Sequence, residues 1–275
     1  KGGSGNTYEA DDNLFSRQSA AFIDALAEGP IKGLVYGDAS ILIDEVRLRN
    51  INLQTGIVDA KTNFNNFVMT TSHGTANPSV DPEFFSDYPT AATTQEVGSA
   101  ELLRNEPQFF TLSSGTFEKT NADYLKITIS TSGMSKITKT GKKKGDINTT
   151  FNNFNIDFVY TDESGVTHTV NKFRTGFNGK VKSKYAHTFG FNIENHKPFV
   201  DWAIKVTRTD QNNSNDDFEV SNAIFCDSIE VAIADKLEYP YTAYIAGVLD
   251  AEQFGSIPAR GYEIDGKLIQ IPSNH

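Results

Sequence analysis

The sequence has little sulfur: one cysteine and two methionines in 275 residues. The lone thiol, Cys226, can form no internal disulfide. It lies in "AIFCDSIEVAIA", an apolar run without a basic neighbour, and reads as a buried, inert side chain, because a reactive thiolate needs an exposed electropositive setting. No stretch reaches the ~20 apolar residues that a membrane-spanning helix requires. The opening "KGGSGNTYEADDN" has no apolar centre and so no signal-peptide character. Positive charge is scarce too, with 25 Lys and Arg against 35 Asp and Glu, a net charge of −10. A general nucleic-acid binder needs a basic footprint to release counterions, so that class is disfavoured.

What the sequence does have is aromatic surface, with 20 Phe and 10 Tyr. A hydrophobic fraction of 38% and a charged fraction of 22% suit a folded chain, and aromatics favour a pleated, half-buried surface. Alternation is the commonest pattern. "YLKITIS" puts Leu125, Ile127 and Ile129 on one face. "NIDFVYTDESGVTHTV" is two alternating runs around a four-residue loop, Asp162 to Gly165. "YAHTFGFNI", "FVDWAIKVTRT" and "IFCDSIEVAIA" are further strands, with Trp202, Ile204 and Val206 in phase for a core. Short strands at this spacing predict a β-sandwich.

The two ends read differently. Residues 1–13 read as a polar arm, either mobile or an extended strand that needs a partner. "SAAFIDALAEGPIKGLVYGDASILIDEVRL" fits a short helix or a strand over Phe22 to Leu26, which periodicity alone leaves open. "ILIDEVRL" reads as a hairpin with Asp44-Glu45 at its tip. Residues 51–120 carry only small apolar islands. In the final "YEIDGKLIQIPSNH", strand-type residues flank Asp265-Gly266, a hairpin signal. Each end is too small to cover its own apolar faces. The predicted organisation is therefore 1–50 as arm and first part of one barrel, 51–235 as an inserted sandwich, and 236–275 as the second part of the barrel.

Chemistry-bearing motifs are weak. The five histidines, 73, 168, 187, 196 and 275, show no paired metal spacing, although His168 and His187 could share a sheet. Asp210, Asn212, Ser214 and Asp216 have the odd-position spacing of a calcium loop, but its glycine and its bidentate Glu are missing. "TGKKKGD" fails the phosphate-loop pattern. Lys136, Lys139 and Lys142 to Lys144 read as a solvated loop, or as a basic tip for an acidic neighbour or lipid. No nucleophile elbow or dinucleotide fingerprint occurs. The expectation is a non-enzyme without cofactor or metal.

Two blocks carry a family resemblance. "ADDNLFSRQSAAFIDALAEGPIKGLVYGDASILID" resembles the start of the tail tip attachment proteins J of lambda-like, long-tailed phages, with their "DNL.S......DA.SEGPI.G" run. "YPYTAYIAGVLDAEQFGSIPARGYEIDGKLIQIPSNH" resembles a later block there, with "YPNTAL", "SEQFGS" and "G..LQ.PSNY". The resemblance implies an all-β architecture, with tail-hub barrel pieces at both ends around the inserted sandwich. It also implies the N-terminal portion of a longer virion protein, assembled in the bacterial host cytoplasm and located at the tail tip. There it would form a homotrimeric hub that caps the tail tube, carries the central fibre, and meets neighbouring tail-tip and tail-tube proteins and the tape measure protein. DNA would traverse the channel without specific binding, and a host receptor would be met only through the region beyond the "PSN" block. Candidate assembly contacts are Asp12, Asn13 and Leu14 in the arm, Glu28, Gly29, Pro30, Ile31 and Gly33 in "EGPIKG", and Glu252, Gln253, Phe254, Gly255 and Ser256 in "EQFGS".

Two other readings compete. Exposed Tyr and Phe in the Asn/Thr-rich middle would suit a carbohydrate- or receptor-binding sandwich of a phage tail. A polysaccharide-cleaving domain would need a carboxylate pair in a groove.

Overall fold

A computed structural model describes residues 7–15, 19–75, 91–98, 101–113, 118–210, 214–233, 239–250, 253–254 and 256–267. Strands and short 3-10 turns make up its regular structure, with no α-helix among the described residues. The chain divides into two compact units, Lys1–Ser16 with Pro89–Ala234 and Arg17–Tyr88 with Asp235–His275.

The second unit begins with β1 (Ser19–Glu28), β2 (Ile31–Leu34), β3 (Ile41–Ile43), β4 (Val46–Arg47), β5 (Arg49–Asn52), β6 (Ile57–Thr62) and β7 (Val68–His73). The first unit contributes β8 (Ala91–Glu96), β9 (Gln108–Phe110), β10 (Tyr124–Thr131), β11 (Ser135–Thr138), β12 (Ile147–Asn148) and β13 (Thr150–Phe151). It continues with β14 (Phe154–Asp162), β15 (Thr167–Thr175), β16 (Asn178–Gly179), β17 (Tyr185–Asn192), β18 (Phe199–Arg208), β19 (Phe218–Ser221) and β20 (Phe225–Ala232). The chain then returns to the second unit with β21 (Thr242–Asp250), β22 (Arg260–Tyr262) and β23 (Ile264–Gly266).

The first unit is sandwich-like. One sheet runs β17-β10-β20-β8 and the other β15-β14-β18-β9. The period-two alternation of each strand sends every second side chain inward. Leu125, Ile127 and Ile129 from one sheet join Phe154, Ile156, Phe158, Trp202, Ile204 and Val206 from the other in a single core. Trp202 is buried, and its indole N–H donates to the Lys119 carbonyl at 3.0 Å. Cys226 lies in the same core, and burial, with the Asp227 charge beside it, pushes its thiol pKa up and keeps it inert. His168 and His187 do not share a sheet, since β15 and β17 belong to opposite layers.

The second unit is built from both ends of the sequence. β1 pairs antiparallel with β21 from Ser19↔Asp250 to Glu28↔Thr242, and β21 pairs on its other side with β7. The helix-or-strand ambiguity over 22–26 resolves as strand, because β21 offers a full-length partner. Phe22 and Leu26 pack against Ile41, Ile43, Leu48, Ile245 and Leu249. Asp44 and Glu45 both take positive φ, +46° and +67°, and make the predicted two-residue hairpin between β3 and β4.

Three expectations differ from what the structure shows. The sequence pattern places residues 51–73 in the sandwich, but β7 is laddered to β21, and Phe64 and Phe67 pack into the second unit's core. It places the arm with the outer pieces, but Glu9 bridges Ile147 of the sandwich unit. Asp265 and Gly266 are not a hairpin tip. They lie in β23, where Asp265 pairs with Gly33 and Gly266 with Ile31, so cross-strand partners overrode the local turn signal. Residues from 268 onward fall outside the described residues.

Candidate assembly surface

The segment "EGPIKG" joins β1 to β2 through a tight corner. Gly29 adopts φ +90°, and its N–H donates to the Tyr241 carbonyl at 2.5 Å. A side chain at that φ is strained, which accounts for glycine here. Pro30 follows, exposed, and Ile31 turns inward. Gly33, at φ +141°, is buried, and a Cβ there would come within 3.4 Å of the His73 ring. Glu28 is exposed at the end of β1. This candidate group therefore sits together in the second unit.

"EQFGS" sits in the same unit. Gln253 clasps Asn65 with both ends of its amide, accepting from the Asn65 N–H and donating to its carbonyl at 2.8 Å each. Phe254 meets Phe64 at 5.6 Å between ring centroids. Ser256 is exposed, while Glu252 and Gly255 lie outside the described residues. Asp12, Asn13 and Leu14 are elsewhere: they lie along the sandwich unit, with the Asp12 carboxylate 2.5 Å from Lys180 Nζ and Leu14 against the sandwich core.

Three residues that sequence reasoning passed over stitch the ends together. Asp24 accepts from Arg260 Nε and Nη2 and from the Tyr262 hydroxyl. Arg260 also lies over the Phe22 ring, 4.6 Å from its centroid. The guanidinium holds the Asp24 pKa below the usual carboxylate range, while burial and the Asp24 carboxylate push Tyr262 up. A charged residue inside "AAFIDALA" was the available signal. Beside it, Arg47 makes a two-pronged contact with Glu263, at 2.7 Å for each prong. The Arg47 contact lowers the Glu263 pKa.

β1 is a ten-residue strand at the edge of the β1-β21-β7 sheet. Its outward positions are Ala21, Ile23 and Ala25, and Ile23 is 42% exposed. An edge of that length with an apolar outer face and no proline is a template for another strand.

Asp210, Lys136, Lys139 and His168 each have partners within the sandwich unit. Asp210 turns inward against Arg208 at 3.2 Å, with both side chains 4% exposed, and Asn222 completes the cluster. Lys139 Nζ donates to the Asn215 carbonyl at 2.9 Å, and Lys136 lies 3.9 Å from the Phe218 ring centroid. His168 is 2.7 Å from Asp162, whose carboxylate also accepts from Ser164 and Val166 in the loop.

Residues 111–235 match the family model described as tip attachment protein J, FNIII-A domain. Among solved structures, the chain is similar to a family 22 carbohydrate-binding module of Clostridium thermocellum Xyn10B at 12% identity, covering 78% of this chain and 100% of that one, with a TM-score of 0.28. It is similar to a chain of infectious bursal disease virus, Gt strain, at 11% identity, covering 90% of this chain and 69% of that one, with a TM-score of 0.29. Likenesses this slight carry no argument about ligand or fold. Residues 111–235 of the sandwich unit are thus similar to the FNIII-A domain of tip attachment protein J, the same family that the two terminal blocks resemble.

Proposed function

We propose that the chain is part of a homotrimeric tail-tip hub. In this reading it caps the distal end of the tail tube, carries the central fibre, and lines part of the channel for the tape measure protein and DNA. The family match of the sandwich carries the reading. The outer edge of β1, unpaired among the described residues, supports the oligomer, because an apolar ten-residue edge is satisfied by a neighbouring copy. The surplus of carboxylates, a net charge of −10, suits a surface from which DNA phosphates are repelled.

On this reading the chain acts by assembly and not by catalysis, and its neighbours are other tail-tip and tail-tube proteins. Many carboxylates on the sandwich unit are spent on pairing with lysine or arginine, which supports a scaffold. The aromatic rings of the sandwich lie mostly in its core, and this favours the hub over a sugar-binding face.

The test is electron microscopy of purified particles with a label inserted in the exposed Glu163–Gly165 loop. Three label densities around the distal end of the tail are expected. Label along the shaft, or none in the particle, overturns the reading.

A further inference from the structure

The arm is held by the sandwich unit as a bound peptide would be. The Tyr8 N–H donates to Asp146 Oδ1 at 2.9 Å, the Ile147 N–H to the Tyr8 carbonyl at 2.8 Å, and the Ala10 N–H to the Ile147 carbonyl at 2.8 Å. Glu9 and Ile147 thereby form a parallel bridge, an added strand one residue deep. Further along, the Asn13 N–H donates to the Lys180 carbonyl at 3.0 Å, and Asn13 Oδ1 accepts from the Lys180 N–H at 2.8 Å.

The groove is built for carboxylates. The Lys180 side chain is 3% exposed, and its ammonium lies 2.5 Å from Asp12 and 3.0 Å from Glu9. Lys182 adds a 2.6 Å contact to Glu9, and its N–H donates to Asp12 at 3.2 Å. The arm itself covers this ammonium, so an occupant that takes it out of water must bring carboxylates to it. Gly179 is equally specific: a Cβ there would lie 2.2 Å from Asn13 Oδ1 and 2.9 Å from Leu14 Cγ.

The arm can leave without opening the sandwich. Leu14 is its contribution to the core, while Tyr8 and Phe15 are 58% and 67% exposed. A cleft of about 330 Å³ lined by Glu9, Met134, Ile147, Lys180 and Ser221 adjoins the docked strand. Among the described residues the arm's contacts with the groove fall within residues 7–15, so another copy's arm can make the same ones.

We propose that this groove is a strand-acceptor site for an extended acidic segment, with carboxylates three positions apart followed by Asn-Leu, and that a second copy of this chain can supply that segment. The proposal does not depend on a ring or on tail location.

The test uses the full chain carrying Glu9→Gln and Asp12→Asn, whose own arm has lost its carboxylates, and a fluorescent peptide of residues 7–15. The wild-type peptide should bind saturably and at least ~10-fold more tightly than its Glu9→Gln/Asp12→Asn version, as expected when two carboxylates that share one ammonium are neutralised. Adding Lys180→Met should abolish binding. Because that change is buried, Gly179→Ala in the same acceptor is the second variant, with Trp202 emission reporting an intact sandwich in each. A Gly179→Ala chain, with an intact arm and a blocked groove, should displace the peptide from the acceptor. Equal binding of the two peptides, or none by an acceptor whose Trp202 emission shows a folded sandwich, overturns the site. Failure of the Gly179→Ala chain to displace the peptide overturns the second-copy donor.

Discussion

Arg260 on β22 grips Asp24 on β1 from 236 positions away, with Nη2 2.9 Å from Asp24 Oδ1 and Nε donating to Oδ2. The two side chains join the first strand of the second unit to its last but one, and the guanidinium also lies over the Phe22 ring. Arg260→Met should destabilise that unit by about 1.5–3 kcal/mol, the scale of hydrogen bonds to charged groups. Asp24 has a depressed pKa, so its contribution is complete above the unfolded carboxylate value and is lost as pH falls through the lower folded one. Urea unfolding followed at neutral and acidic pH checks both. A variant as stable as the parent at neutral pH contradicts the role given to the pair.

The arm should respond to acid in the same direction. Contacts with Lys182 and Lys180 lower the pKa of Glu9, and contact with Lys180 lowers that of Asp12. Docking should therefore be unchanged from neutrality down to the ordinary carboxylate range, about pH 4, and be lost below it. Amide resonances of Ala10 and Asn13 followed by NMR across that range measure this. Release at pH 6 would show that something other than these carboxylates holds the arm.

Asp210 is the buried partner of Arg208 in the sandwich unit, both at 4% side-chain exposure. Asp210→Ala should cost about 3–5 kcal/mol, because it leaves a buried guanidinium with only the half-exposed Glu101 carboxylate and the Asn222 amide. Replacing both residues with apolar ones should cost less than the single change. Denaturant melts monitored by the lone tryptophan decide between these outcomes. Millimolar calcium should leave the midpoint unmoved, since the Asp210 carboxylate is already taken by Arg208 and Asn222.

Gly29 and Gly33 hold φ of +90° and +141°. Gly29→Val and Gly33→Val should each strain the second unit by about 1–3 kcal/mol. Incorporation into tails should fall while Trp202 emission stays that of a folded sandwich. Normal incorporation of both variants would remove this corner from the assembly surface.

Local chemistry was enough for the sandwich strands. Leu125, Ile127 and Ile129, and Trp202, Ile204 and Val206, alternate without interruption, and the structure buries all six. The Asp44-Glu45 turn was also legible, because two residues at positive φ between short apolar strands leave few alternatives. The arm was harder. "YEADDN" is polar and lacks periodicity, and its docking depends on Lys180 and Gly179, far along the chain, whose own surroundings give no hint of a groove.

The sequence by itself determined the all-β class, the core faces of the sandwich, the inert thiol and, through two terminal blocks, a family resemblance. It could do so because side-chain alternation and turn chemistry are local, and each strand carries its own pattern. Only the tertiary structure decided which strands are neighbours. Asp265-Gly266 has the composition of a turn and became part of β23 because β2 lay alongside it. Residues 68–73 begin in the small apolar island "FVM" of a polar stretch and became β7 because β21 lay alongside. Backbone pairing energy depends on what lies across the ladder, and that partner is fixed by the fold of the whole unit, not by the segment's own residues.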